Sequence, residues 1–250
     1  MFFSHVNKDE KQYLSFVEKR INRIDTKPNE IHKRMLDLNP VSFVTTNYDS
    51  LLSMAAIQNC KVYKTIVEDK EVPNIYGDRF ILKIHGDFSH RNIVLKEEDY
   101  LNYSDNHKLI ETLLKGVFST NTVVFIGYSI NDYNIKLILN WTKKLLQDHF
   151  QNPIFLYSDP ASLNKEELLY QESRGLSVIQ CKDLLKQPFD YLLSFKAFFD
   201  ALNQKMLFDV DNNDEKTCFD YIYKQLKPLD SFHIQPSFLF QTRPSSICVI

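Results

Sequence analysis

Val41 to Asp49 reads VSFVTTNYD, an apolar, β-branched run that stops on Asn, Tyr and Asp just ahead of a helix-like segment. In an open α/β sheet, residues at the carboxyl ends of the strands face the crevice where ligands bind. Two later stretches repeat the arrangement: Phe80 to Asp87 reads FILKIHGD, and Thr122 to Asp132 reads TVVFIGYSIND. Three polar strand exits, each behind an apolar run, predict one shared site.

Working outward, apolar strands are expected at Val41 to Thr45, Cys60 to Val67, Phe80 to Ile84, Val123 to Ile126, Ile154 to Tyr157 and Leu176 to Gln180. Helical spacing falls between and around them: Lys8 to Ile24, Asn29 to Leu38, Ser50 to Asn59, Lys108 to Phe118, Asp132 to Phe150, Lys165 to Arg174, Phe189 to Leu207 and Asp214 to Leu226. Gly175 is the expected C-cap of the helix before it. Strands alternating with helices predict an α/β fold, a parallel sheet covered on both faces. Two parts are expected: an α/β domain over residues 1–205, and a helical extension with a tail over 206–250. Residues 227–250 carry Pro228, Pro236 and Pro244 and no clear period.

The composition narrows the function classes. The 250 residues are 44% hydrophobic and 13% aromatic, enough for a sizeable core. A net charge of −2 gives no electrostatic footprint for nucleic acid or a membrane surface. The four cysteines, Cys60, Cys181, Cys218 and Cys248, are far apart and form no CxxC pair, which argues against a zinc ribbon and a disulfide framework. No apolar run approaches the roughly 20 residues of a membrane span, and the N-terminus turns polar too early for a secretory signal. A cytoplasmic protein without a metal is expected.

The strand exits offer recognisable chemistry. Asn47 carries a donor and an acceptor, and Asp49 accepts only when ionised, a pair suited to a carboxamide and a ribose. The alternative for Asp49 is a helix cap ahead of Ser50. His85 ends a buried strand and can act as a base near neutral pH; Gly86 behind it permits a sharp turn. Gly127 allows close approach of a ligand, and the Ser129 hydroxyl can bond a ribose or phosphate. Asp132 is a natural N-cap. The other six histidines, His5, His32, His90, His107, His149 and His233, lie in no motif and read as surface or packing residues. Trp141 reads as a helix anchor.

Four stretches, TTNYD (Thr45 to Asp49), KIHGD (Lys83 to Asp87), IVLKEEDY (Ile93 to Tyr100) and FIGYSINDYNI (Phe125 to Ile135), together resemble the SIR2-like family, the sirtuin-fold domains of bacterial NAD-consuming defence proteins. The likeness spans roughly residues 30 to 200. It implies a Rossmann-like fold and an NAD site. Asn47 and His85 would be catalytic, with Asn47 and Asp49 toward the nicotinamide and His85 toward its ribose. Thr46, Asn47, Asp49, Gly127, Ser129 and Asp132 would bind the dinucleotide, Gly127 and Ser129 at its adenosine end. The reaction implied is hydrolysis of the nicotinamide–ribose bond of NAD, in anti-phage defence. Members of the family often form oligomers.

Two departures shape the alternatives. Deacylating sirtuins usually carry a zinc module with two Cys pairs, which this sequence does not have, so protein deacylation ranks below NAD hydrolysis. The family also begins with a strand and a glycine-rich GAG-like loop that cradles phosphates. Here the first glycine is Gly77. The first strand and loop are therefore expected to be missing, replaced or encoded upstream of Met1. A non-catalytic nucleotide-binding or scaffold module, or a truncated inactive remnant, is the competing reading.

Overall fold

A computed structural model describes residues 10–21, 26–75, 77–127, 133–157, 163–180, 190–208 and 247–250. Its centre is a seven-stranded sheet in the order β2-β3-β1-β7-β4-β5-β6. The strands are β1 (Ser42–Thr45), β2 (Lys64–Ile66), β3 (Phe80–Lys83), β4 (Thr122–Ile126), β5 (Ile154–Tyr157), β6 (Ser177–Gln180) and β7 (Ile247–Val249). Every pairing is parallel, as the short apolar runs require when both faces are covered.

The helices are α1 (Glu10–Ile21), α2 (Glu30–Asp37), α3 (Leu51–Gln58), α4 (Glu97–Leu101), α5 (Tyr103–Asn106), α6 (Lys108–Thr120), α7 (Tyr133–Leu146), α8 (Lys165–Ser173) and α9 (Tyr191–Phe208). The α/β class with a parallel sheet is thus as the sequence predicts, and most boundaries fall within a few residues. The expected strand from Cys60 is shorter, because Cys60 turns the chain in a left-handed conformation (φ 53°) and pairing begins only at Lys64. The helix expected over Asp214 to Leu226 lies outside the described residues.

Side chains alternate across the sheet, as strand geometry demands. On one face Val44, Leu82, Val123, Phe125, Cys248 and Ile250 join the largest core cluster, packed with Ile110 and Leu114 of α6 and Ile135, Ile138 and Leu139 of α7. On the other, Phe43, Ile81 and Val249 meet Leu36 of α2 and Ala55 and Ala56 of α3. Val124, Ile154 and Leu156 meet Leu38 and the α9 residues Phe195, Phe198 and Phe199. Burying each Val, Leu, Ile or Phe among them contributes roughly 1.5–3 kcal/mol.

Local chemistry ends the elements. The Asn29 side chain accepts from the Ile31 and His32 backbone N–H groups, and the Asn29 N–H donates to His32 Nδ1, closing a capping box on α2. Gly175 follows α8 at φ 86° and donates to the Glu172 carbonyl, the expected C-cap role. Asp69 opens a 3-10 turn (Asp69–Ile75) that the sequence did not signal. Its carboxylate accepts from Leu109 N–H at 2.9 Å and Ile110 N–H at 3.2 Å, capping α6 from 40 residues away.

The largest difference from the sequence reading is β7. Residues 227–250 show no period, yet Ile247–Val249 form a strand at the middle of the sheet, paired with β1 on one side and β4 on the other. A strand this short that is covered on both faces has neither the length nor the polar alternation that periodicity detects. Among the described residues, no helix is long and apolar enough to cross a membrane.

Candidate active site at the strand exits

Because the strands are parallel, β1, β3 and β4 end at one edge of the sheet, and so do the three polar exits. The first two are tied together directly. The His85 carbonyl accepts from the Val94 N–H at 3.0 Å. The Val94 carbonyl accepts from the Tyr48 hydroxyl at 2.7 Å. Val94 thereby joins the TTNYD turn, the KIHGD turn and the IVLKEEDY stretch, which are separate in sequence.

His85 is buried, 6% exposed, at the end of β3. Tyr100 meets its ring edge-on at 5.3 Å, and Tyr48 lies at 6.4 Å. This aromatic wall, to which Phe88 adds its ring 5.5 Å from Tyr48, restricts water around the imidazole. His107 lies close behind; burial lowers its proton affinity, and the neighbouring His85 lowers it further, against the pull of Asp69.

The backbone of the KIHGD turn is strongly determined. Gly86 has φ 75°, and a Cβ there would stand 2.2 Å from the Asn92 carbonyl oxygen. Only glycine fits both constraints. Asn92 Oδ1 accepts from the Asp87 N–H at 3.2 Å, and its Nδ2 donates to the Val67 carbonyl at 2.8 Å.

Lys83 and Asp87 are residues whose role in this arrangement was not singled out from the sequence. Lys83 closes an otherwise apolar strand and is only 4% exposed. Its Nζ donates to the Tyr48 carbonyl at 3.1 Å and lies 3.4 Å from Asp87 Oδ2. A cation at the end of a buried strand needs partners, and here they are the turn that carries Asn47 and the turn that carries His85. Asp87 also accepts from the His90 N–H at 2.9 Å and contacts His90 Nδ1 at 2.7 Å. Burial raises its proton affinity, but the His90 hydrogen bonds and the Lys83 charge outweigh that and hold the carboxyl below its ordinary range. The signal was available: a Lys in FILK, four residues before an Asp.

The remaining candidates divide. Asn47 is exposed on the rim and Thr46 is half-buried beside it; the Asn47 N–H donates to Thr45 Oγ1 at 3.0 Å, which leaves its carboxamide outside this turn bond. Asp49 accepts from the Leu51 N–H at 2.9 Å at the start of α3, the cap-like alternative of the sequence reading. Gly127 is exposed at φ 64° after β4, with open space where a Cβ would stand. Ser129 and Asp132 lie outside the described residues. Among the described residues, no group of three His, Cys, Asp or Glu side chains is arranged to hold a metal ion. A cavity of about 290 Å³ between α6 and α7, lined by Glu111, Lys115 and Trp141, includes none of the strand-exit residues. Trp141 lies under the Lys115 ammonium there, at 5.0 Å.

The site therefore offers a shielded histidine at the sheet edge, an exposed carboxamide beside it and an open glycine turn on the far side of β7. A family model described as the SIR2-like domain matches residues 41–179, and the chain belongs to that family. Among curated proteins, Defense-associated sirtuin 2 of Bacillus subtilis is 39% identical over 212 residues, covering 83% of this chain and 21% of that protein. NAD(+) hydrolase ThsA of Enterococcus faecium is 31% identical over 127 residues, 48% of this chain and 26% of its own. NAD(+) hydrolase ThsA of Bacillus cereus (strain MSX-D12) is 32% identical over 114 residues, 44% and 24% respectively. The chain spans between 21% and 26% of the length of these relatives.

Proposed function

We propose that this chain binds NAD across the strand exits and hydrolyses its nicotinamide–ribose bond, as part of bacterial defence against phage. The observation that carries the reading is the shielded His85 at the β3 exit, bound through Val94 and Lys83 to the turn that bears Asn47. Membership of the SIR2-like family and relatives named NAD(+) hydrolase support the substrate.

The nicotinamide is cationic in NAD and leaves without a general acid, so the demands on the protein are positioning and proton acceptance. The transition state resembles an oxocarbenium ion, as in glycoside cleavage. The Asn47 carboxamide orients the nicotinamide carboxamide or the attacking water. His85 accepts a proton from that water or from a ribose hydroxyl. Thr46 lies on the same wall, and Gly127, with open space above it, admits the dinucleotide from the other side. Ser129 and Asp132 are proposed to complete the adenosine end. Asp49 contributes by holding the start of α3, which sets the turn that presents Asn47.

The test is NAD turnover in Asn47→Ala and His85→Ala, each checked for folding by circular dichroism. A loss of at least about 100-fold is expected, the usual scale for a positioned acid–base group. Unchanged turnover in both variants overturns the assignment. Tight NAD binding without turnover in the wild-type chain would instead favour a nucleotide-binding module.

A further inference from the structure

α6 and α7 pack side by side, and the groove between them holds the cavity of about 290 Å³ that contains none of the strand-exit residues. Its walls follow from helical spacing. On α7, Asn134, Leu137, Trp141 and Lys144 recur at steps of three and four, so one side of the helix carries them all. On α6, Glu111 and Lys115 are one turn apart and line the same space. Tyr103 and Ser104 of α5 complete the lining.

This lining is polar where two packed helices call for apolar residues. Asn134 is 5% exposed and is flanked on α7 by the buried Ile135, Ile138 and Leu139. A buried Asn is the unusual case, and its carboxamide brings a donor and an acceptor to the groove. The Tyr103 side chain is as deeply buried. Ser104 and Lys115 both hydrogen-bond the Glu111 carboxylate, Lys115 at 2.6 Å, and the Lys115 ammonium lies 5.0 Å from the centre of the Trp141 ring. Lys115 and Lys144 bring two ammonium groups to the cavity against the one carboxylate of Glu111, a surplus of positive charge among the lining residues. Leu137 and Trp141 are 45% and 41% exposed, so a flat ring can reach them from solvent.

We propose that this cavity binds a nucleoside monophosphate, at a site separate from the strand exits and independent of the function proposed above. The Trp141 indole and Leu137 seat the base. The Asn134 carboxamide and the Tyr103 hydroxyl meet the sugar hydroxyls and the polar edge of the base. Lys115 and Lys144 take the phosphate. The volume stands at the low end of the roughly 300–1,000 Å³ of small-molecule sites, which suits one base, one sugar and one phosphate and is tight for a dinucleotide.

Trp141 is a native reporter, because the chain has one tryptophan and it lines the cavity. The experiment titrates the full chain with AMP, GMP, CMP and UMP and follows tryptophan fluorescence, excited past the tyrosine band, alongside calorimetry. At least one of the four is expected to give a saturable change, with the same Kd by both methods. No saturable change with any of them overturns the proposal. Heat of binding without a Trp141 response places the nucleotide elsewhere and overturns it as well. The parent nucleoside and inorganic phosphate are each expected to bind at least about 10-fold more weakly than the tightest nucleotide, since each loses one set of contacts. Inorganic phosphate that binds as tightly reduces the cavity to an anion site and overturns the nucleotide.

Variants fix the location, each checked for folding by circular dichroism. Lys144→Gln, at an exposed position, and Lys115→Met are each expected to weaken nucleotide binding about 10-fold, the scale of one lost hydrogen bond to a charged group, and to leave binding of the nucleoside unchanged. Asn47→Ala, at the strand exits, is expected to leave the Trp141 response as it is. Unchanged nucleotide affinity in both lysine variants, or loss of the response in Asn47→Ala, overturns the placement.

Discussion

Lys83 shows how one residue can hold two turns of a candidate site together. Its ammonium is buried between the Tyr48 carbonyl and Asp87, a position where desolvation opposes the charge and partners must offset it. Removing the ammonium takes one partner from Asp87, which keeps its contacts with His90. Lys83→Met is therefore expected to destabilise the fold by about 1.5–3 kcal/mol, the scale of hydrogen bonds to charged groups, read as a shift in the urea midpoint. Lys83→Met combined with Asp87→Asn is expected to recover part of that loss, because the partly buried carboxylate is neutralised with its partner. A strictly additive double mutant would show that the two charges do not interact. The strand-exit residues themselves were legible in TTNYD and KIHGD because polar groups after apolar runs stand out. The supports were not singled out, since Lys83, Asp87 and Asn92 act through partners brought near only by folding.

At the scale of elements, local chemistry and long-range contacts divide the outcome. The strands β1, β3, β4 and β5 were legible as continuous apolar runs, and α2 and α8 carried their own Asn caps in sequence. The start of α6 did not. His107 at its N-cap position makes no side-chain cap bond; Asp69 supplies the carboxylate from the 3-10 turn, and also satisfies the N-terminal end of the helix dipole. Asp69→Ala is expected to cost about 1 kcal/mol of stability, the scale of a lost N-cap, and to raise amide hydrogen exchange in the first turn of α6 before the rest of the helix. An unchanged exchange rate at Leu109 and Ile110 would show that this cap contributes nothing. β7 was illegible for a related reason. A strand of three residues is recognised by its neighbours, not by its own pattern, and its neighbours are more than 120 residues away in sequence.

For the whole molecule, the described titrating groups set a direction for stability against pH. Burial lowers the pKa of both His32 and His107 in the fold, outweighing the opposing pull of Asp49 on the first and Asp69 on the second. Above the unfolded-state value of about 6.5, both states hold these rings neutral and nothing is lost. As pH falls below it, the unfolded chain takes up protons that the folded chain resists, so the folded state loses ground until the lowered folded pKa values are passed. Asp87 and Glu111 act in a lower window. For each, burial raises the pKa, but hydrogen bonds from His90 and from Lys115 with Ser104 outweigh it and leave the carboxyl below its ordinary range. Their contribution is present above the unfolded carboxylate values of about 4 and is lost as pH falls through the lower folded values. Urea midpoints are therefore expected to be flat above about pH 7, to fall once through the histidine window and again below about pH 4. His107→Gln isolates the first step: it removes one of the two rings that resist protonation, so the decline between pH 7 and pH 5 should become shallower while the step below pH 4 stays. An equally steep decline in the variant would remove His107 from the account and leave His32 to explain the histidine window.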